Sequence, residues 1–99
     1  MAFNVIAKST LRAFWDKHSD SQDALTAWHK LMTKGDYKHF ADLKESFASA
    51  DYVQPDYVIF NIKGNHYRLI TRISFKYKTV WIKHIFTHSE YDNWTPEKE

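Results

Sequence analysis

The sequence predicts an α+β fold in which two to three N-terminal helices pack on one face of an antiparallel sheet. Apolar residues recur at helical spacing from Leu11 to Phe47. After Pro55 the hydrophobic period changes from about 3.6 to about 2. The strand-like half is interrupted by turn signals at Lys63-Gly64-Asn65 and Lys76-Tyr77-Lys78, the pattern of a three-stranded meander.

Taken in order, residues 3–6 are short and apolar and suit an opening strand. Ser9 or Thr10 can cap a helix whose Leu11, Phe14 and Trp15 fall at i, i+3 and i+4 and which ends near His18. Ser19-Asp20-Ser21 reads as a loop with a capping residue. Ala24, Leu25, Trp28, Leu31 and Met32 mark a second helix, stopped by Lys34-Gly35, so the two form an αα-hairpin. Phe40, Leu43 and Phe47 define a third, shorter helical stretch. Residues 57–62 are β-branched and aromatic and lead into the first turn; residues 67–75 are the second arm of that hairpin and residues 79–86 a third strand. Thr87-His88-Ser89-Glu90 has the spacing of a capping box and starts a helical turn through Tyr91. The aromatic residues Phe14, Trp15, Trp28, Phe40 and Phe47 sit at helical spacing and read as core.

At 99 residues the chain makes one domain, residues 1–99, with a core that buries roughly two-thirds of the unfolded surface. A hydrophobic content of 43% with 17% aromatics excludes a disordered chain. Zero cysteine fits a reducing compartment. The first eight residues lack the pattern of a secretory signal, and no apolar run is long enough to span a bilayer. The expectation is a soluble cytoplasmic protein with no membrane contact.

Charge is distributed unevenly. Between Asp56 and Glu90 lie thirty-three residues without a carboxylate, carrying Lys63, Arg68, Arg72, Lys76, Lys78 and Lys83 together with His66, His84 and His88. Residues 1–56 hold seven Lys/Arg against eight Asp/Glu, and residues 90–99 hold one against four. Concentrated positive potential attracts polyanions and neutralises phosphates, so nucleic acid is the first partner to consider.

On the strand through residues 67–75, Leu69, Thr71, Ile73 and Phe75 share one face and Arg68, Ile70, Arg72 and Ser74 the other. The first face packs on the helices. Arg68 and Arg72 then project about 13 Å apart, too far for one phosphate and suited to two. The equally supported alternative is a solvated sheet face with edge protection; the lack of a carboxylate nearby in sequence weakens only its ion-pair version. Lys63 and Asn65 are ordinary turn residues, as are Lys76 and Lys78, unless the basic patch brings them to a ligand. Tyr77 is either a stacking platform or a surface tyrosine. His84 and His88 are separated by a strand end and do not form an i, i+4 metal pair, and no third ligand or cysteine supports a metal site. His88 is structural or catalytic; Glu90, Tyr91 and Asp92 follow it at the mouth of the basic sheet.

The run Val58-Ile59-Phe60-Asn61-Ile62-Lys63-Gly64-Asn65-His66-Tyr67-Arg68-Leu69-Ile70, together with Thr87-His88-Ser89-Glu90-Tyr91-Asp92, resembles the HigB family of toxins. The likeness extends to the early Lys8-Ser9-Thr10-Leu11-Arg12-Ala13-Phe14-Trp15 segment. The resemblance implies a RelE-like fold and a toxin of a type II toxin–antitoxin system that acts as a ribosome-dependent mRNA endonuclease. Its partners would be a HigA-type antitoxin, the ribosome and mRNA, with operator DNA reached only through the antitoxin. With no cysteine and no ligand cluster, the expectation is RNA cleavage without a metal or other cofactor.

By position, Arg68 matches the arginine placed near the scissile phosphate, Tyr91 the C-terminal aromatic that stacks on a base, and His88 a basic residue or histidine of relatives. Lys63 is a loose match, and His84 has no counterpart. Arg68, His88 and Tyr91 are thus the catalytic candidates. Lys63, Arg72, Lys76, Lys78, Lys83 and Asp92 are the RNA-binding candidates, with Asp92 either orienting His88 or capping a turn and the lysines open equally to ribosomal RNA. Two rival readings remain: a ParE-like toxin that poisons DNA gyrase without catalysis, and a plain RNA-binding module.

Overall fold

In the computed structural model, which describes residues 3–54 and 56–95, a short strand precedes the helices and the sheet is completed by the strands that follow them. The elements are β1 (Asn4–Ile6), α1 (Lys8–Lys17), a single 3₁₀ turn (Ser19–Ser21), α2 (Gln22–Lys34), α3 (Phe40–Ser46), β2 (Asp51–Val53), β3 (Tyr57–Ile62), β4 (Tyr67–Ser74), β5 (Thr79–Thr87) and α4 (His88–Asp92). The strand order is β1-β5-β4-β3-β2. The expected meander β3-β4-β5 is antiparallel, and β2 extends it antiparallel to β3. β1 instead pairs parallel with β5, so the sheet is antiparallel except at one edge.

The helix starts depart from the capping expectation. α1 follows β1 with only Ala7 between them, and Ala7 makes the reversal in the left-handed region (φ 74°) with no side-chain cap. Ser9 and Thr10 already lie inside the helix. The Ser19–Ser21 segment tightens into a 3₁₀ turn, where the Ser21 hydroxyl donates to the His18 carbonyl (2.7 Å) rather than capping α2. α2 does stop at Gly35, which is extended (φ −76°) rather than left-handed. Glycine is required there for space, because a Cβ would overlap the Tyr37 ring and approach the Leu31 carbonyl oxygen to 2.8 Å.

The main core lies between the helices and one sheet face. Leu11, Leu25, Trp28, Met32 and Leu43 pack against Val58, Phe60, Ile62, Leu69, Val80 and Ile82. Each fully buried side chain of this kind contributes about 1.5–3 kcal/mol of transfer free energy. The opposite face is covered in its middle: Tyr57, Ile59 and Ile70 are buried beneath Val53, Phe86, Tyr91 and Trp94. This second layer explains why β3 reads as a continuous apolar run rather than an alternation, since strands buried on both faces lose their polar positions.

β5 contains an irregularity that positions both faces. Ile70 pairs with His84 but Thr71 with Ile82, leaving Lys83 as the extra residue of a β-bulge. The bulge lets Val80, Ile82 and Ile85 all reach the helix side, although their spacing breaks strict alternation. At the far end of β5, Thr87 and Glu90 form the anticipated capping box. The Glu90 N–H donates to Thr87 Oγ1 (3.3 Å) and the Thr87 N–H to Glu90 Oε1 (2.8 Å). Among the described residues no helix is long and apolar enough to cross a membrane.

Candidate functional site

The turn between β3 and β4 and the start of α4 meet at one end of the sheet. Lys63 (φ 52°) and Gly64 (φ 63°) turn the chain through the left-handed region, a conformation glycine adopts at no steric cost. Arg68, two residues into β4, faces away from the helices. Its Nη1 donates to the carbonyls of Asn65 (3.0 Å) and Tyr67 (3.3 Å), and its guanidinium carbon lies 5.6 Å from the centre of the Tyr91 ring. The cation is thereby held in one orientation at the rim of the sheet.

α4 is tied to the same turn. The His88 N–H donates to the His66 carbonyl (3.1 Å), and the His88 ring Nδ1 stands 3.3 Å from Asp92 Oδ2 one helical turn on. The His66 ring Nδ1 lies 2.9 Å from the Lys63 carbonyl. Lys63, Asn65, His66, Thr87, His88 and Ser89 line a shallow depression open to solvent. Both imidazoles are exposed there, with 56% of the His88 side chain in water. Tyr91 is half-buried; burial raises its phenol above the ordinary value, the Asp51 and Asp92 carboxylates add to this and the Arg68 charge opposes it. Tyr91 is therefore a neutral ring at physiological pH, suited to stacking or hydrogen-bond donation.

The helical half braces this end through Asp20. Its Oδ1 accepts from the Tyr67 hydroxyl (2.6 Å) and its Oδ2 from Lys63 Nζ (2.9 Å). The Tyr67 hydroxyl bond, then the Lys63 bond, hold the Asp20 carboxyl below the usual carboxylate range. Phe14 of α1 and His18 just beyond its end pack their rings against Tyr67.

Arg68, His88, Tyr91 and Asp92 thus meet at one end of the sheet, while Lys63 starts from the same turn but sends its ammonium to Asp20 on the helix side. The other basic residues lie elsewhere. Arg72 stands farther along β4 and pairs with Asp56 (Nε 2.8 Å, Nη2 2.6 Å to Oδ1) over the Tyr57 ring. Lys83 is exposed at the bulge beside Arg72 and Trp81. Lys76 and Lys78 occupy the β4–β5 turn, at the opposite end of β4 from Arg68. Lys76 lies over the Tyr77 ring (5.3 Å), while Lys78 turns inward to the Tyr37 carbonyl (2.7 Å) and Asp36 (3.4 Å).

The expectation that these cations lack carboxylate partners is corrected. Asp20, Asp36 and Asp56, which precede the basic segment in the chain, reach Lys63, Lys78 and Arg72. His66, read from the sequence as solvent-exposed, is exposed; sequence reasoning passed over Asp20 and the aromatic cover formed by His84, Phe86 and Trp94, whose rings lie 5.0–6.0 Å apart. The bulge that turns His84 onto this face is legible in the Val80, Ile82, Ile85 spacing; the role of Trp94 carries no local signal. Among the described residues no cluster of three His, Cys, Asp or Glu side chains suited to a metal ion occurs.

A five-stranded sheet with helices on one face and a cationic rim on the other defines the class. It is the RelE-like fold, shared with the RelE–RelB complex from the archaeon Pyrococcus horikoshii OT3 (TM-score 0.57, 16% identity, 89% of this chain and 97% of that one). Residues 21–94 match the family described as HigB_toxin, RelE-like toxic component of a toxin-antitoxin system. The mRNA interferase toxin HigB of Escherichia coli K12 is 30% identical over 95 residues, covering 93% of this chain and 90% of the relative. The mRNA interferase HigB of Escherichia coli O6:H1 is 27% identical over 95 residues, 93% of this chain and 91% of its own. The chain belongs to the HigB toxin family.

Proposed function

We propose that this protein is an mRNA interferase: an endoribonuclease that cuts mRNA on the ribosome by metal-free chemistry and is silenced by a HigA-type antitoxin. The observation that carries the reading is the fixed Arg68 guanidinium, gripped by two carbonyls and the Tyr91 ring at the rim that also holds His88. The mRNA interferase activity of the HigB relatives supports it.

In this reading the 2′-OH of a ribose attacks the adjacent phosphorus. A base removes the 2′ proton, a pentavalent phosphorane forms, and the 5′-oxygen of the next nucleotide leaves with a proton from an acid. Arg68 stabilises the phosphorane, because a guanidinium stays charged and can bond two phosphate oxygens. His88, with Asp92 beside its ring, exchanges the proton. Tyr91 stacks on a base and keeps the phosphate at Arg68. Lys63, Arg72, Lys76, Lys78 and Lys83 supply positive potential toward mRNA or ribosomal RNA, those paired with carboxylates contributing less. The protein works in the cytoplasm, where its ribosome and antitoxin are, and meets operator DNA only through the antitoxin.

Preassembled ribosome complexes carrying end-labelled mRNA test this. The expected products end in a 2′,3′-cyclic phosphate and a 5′-hydroxyl, whatever magnesium the ribosome needs. Products ending in a 3′-hydroxyl and 5′-phosphate would mean activated water as nucleophile and would remove the roles given to Arg68 and His88. Inhibition of DNA gyrase without RNA cleavage would favour the ParE-like alternative.

A further inference from the structure

One row of residues crosses the face of the sheet opposite the helices, four residues along β4 from Arg68. Ile6, Trp81, Arg72 and Tyr57 are successive Cα partners from β1 through β5 and β4 to β3. Their strand neighbours Val5, Val80, Ile73 and Val58 belong to the helix-side core, so the row points the other way. Tyr57 is covered by Trp94, but Trp81 and Ile6 keep 38% and 41% of their surface in water. An indole left exposed on the strand next to the sheet edge, paired on both sides rather than at a loop tip, forgoes burial.

Two cations, Lys83 and Arg72, lie beside it, the second paired with Asp56. Lys83 is the bulge residue, relieved of regular pairing, and it lines with Trp81, Arg72, Ser74 and Asp56 an open depression of about 450 Å³. Asp56 engages one edge of the Arg72 guanidinium, so Lys83 carries most of the net positive charge. A flat aromatic surface with an aliphatic flank and an exposed cation is complementary to one nucleotide: the base on the ring, its phosphate on the ammonium. Arg68 and Arg72 are four residues apart on β4, about 13 Å at 3.3 Å per residue, too far to share a phosphate.

We infer that Trp81, with Lys83 and Arg72, forms a second subsite that stacks a base of the mRNA flanking the cleaved bond and so contributes to sequence preference. The inference rests on the mRNA interferase reading and assigns the substrate strand a path from the Arg68 rim, over the Tyr91 and Trp94 cover of Ile70, to the Trp81 depression.

The test is single-turnover cleavage on ribosomes programmed with mRNAs that carry one abasic nucleotide at each position around the cut. Trp81→Ala should raise the half-saturating toxin concentration about 5- to 150-fold, the range for loss of one base–aromatic stack, with little change in the maximal rate. Trp81→Phe should keep most of the affinity, and Lys83→Ala should flatten the salt dependence by about 0.7 in log–log slope. One abasic position should cost the wild type the same factor and cost Trp81→Ala nothing further. Equal losses for wild type and Trp81→Ala at every abasic position would overturn the subsite, as would an unchanged half-saturating concentration for Trp81→Ala. Weaker binding to ribosomes lacking mRNA would assign Trp81 to ribosomal RNA, and weakened antitoxin binding with normal cleavage would assign it to the antitoxin; either overturns the inference. A wild type that cleaves no mRNA would overturn the function reading itself, a result separate from these.

Discussion

Replacing Arg68 with alanine separates a structural arginine from a catalytic one, because the two roles differ in size. Structurally, Arg68 contributes a cation–π contact with Tyr91, worth about 0.5–1 kcal/mol at a partly exposed site, and two hydrogen bonds to carbonyls at the solvent edge. Solvent competes for those bonds, so the sum is about 1 kcal/mol. For a chain of this length that lowers Tm by roughly 4–8 °C. A domain stable by about 5–15 kcal/mol remains essentially all folded at 25 °C after such a loss. Catalytically, removing a donor aimed at developing phosphorane charge costs about 10²–10³ in rate, or about 2.7–4 kcal/mol of barrier. Arg68→Ala should therefore melt a few degrees lower by circular dichroism yet lose at least a hundredfold in single-turnover cleavage on programmed ribosomes. Arg68→Lys should fall between, since lysine keeps the charge and loses the fork. A folded Arg68→Ala protein that cleaves within tenfold of wild type would refute the assignment.

His88→Ala should slow cleavage by about 10²–10⁴ if the imidazole moves a proton. Asp92→Asn should cost much less, its contact being an exposed pair; a larger loss at Asp92 than at His88 in the same assay would reverse their roles. Asp20 has a depressed folded-state pKa, so its contribution to stability is present above the unfolded value of about 3.9 and is lost as pH falls through the lower folded value. Thermal melts in that acidic window should show wild type losing stability relative to Asp20→Asn, and parallel curves would contradict the clamp. Gly35→Ala should destabilise by about 1–3 kcal/mol through overlap with Tyr37 and the Leu31 carbonyl; an unchanged urea midpoint would show that the Tyr37 ring moves aside without cost.

Elements whose signals are local are legible in the order of the residues alone. The spacing of Leu25, Trp28 and Met32 marks α2, and all three are buried. The Thr87-to-Glu90 capping box appears where its spacing placed it. The alternation through β4 puts Arg68 and Arg72 on one face, and both stand opposite the helix-side core residue Leu69. Other features lie beyond local reading. No cap residue announces α1, because Ala7 turns the chain by its backbone alone. β2 is three residues long and is recognisable only beside β3.

The sequence by itself determined the helices, the hairpins and the positive bias of the second half, since periodicity, caps and turns are settled among residues a few positions apart. Tertiary structure decided which of those positive charges remain available. Asp20 reaches Tyr67 across 47 residues and Lys63 across 43, Asp36 reaches Lys78 across 42, and Asp56 pairs with Arg72 across the β3–β4 ladder. It also decided that α4 and the residues after it fold back to set Tyr91 against Arg68 and Trp94 against Tyr57. Such contacts form only when packing of the core brings distant segments to the same rim, and no pattern within one segment encodes the partner it will meet.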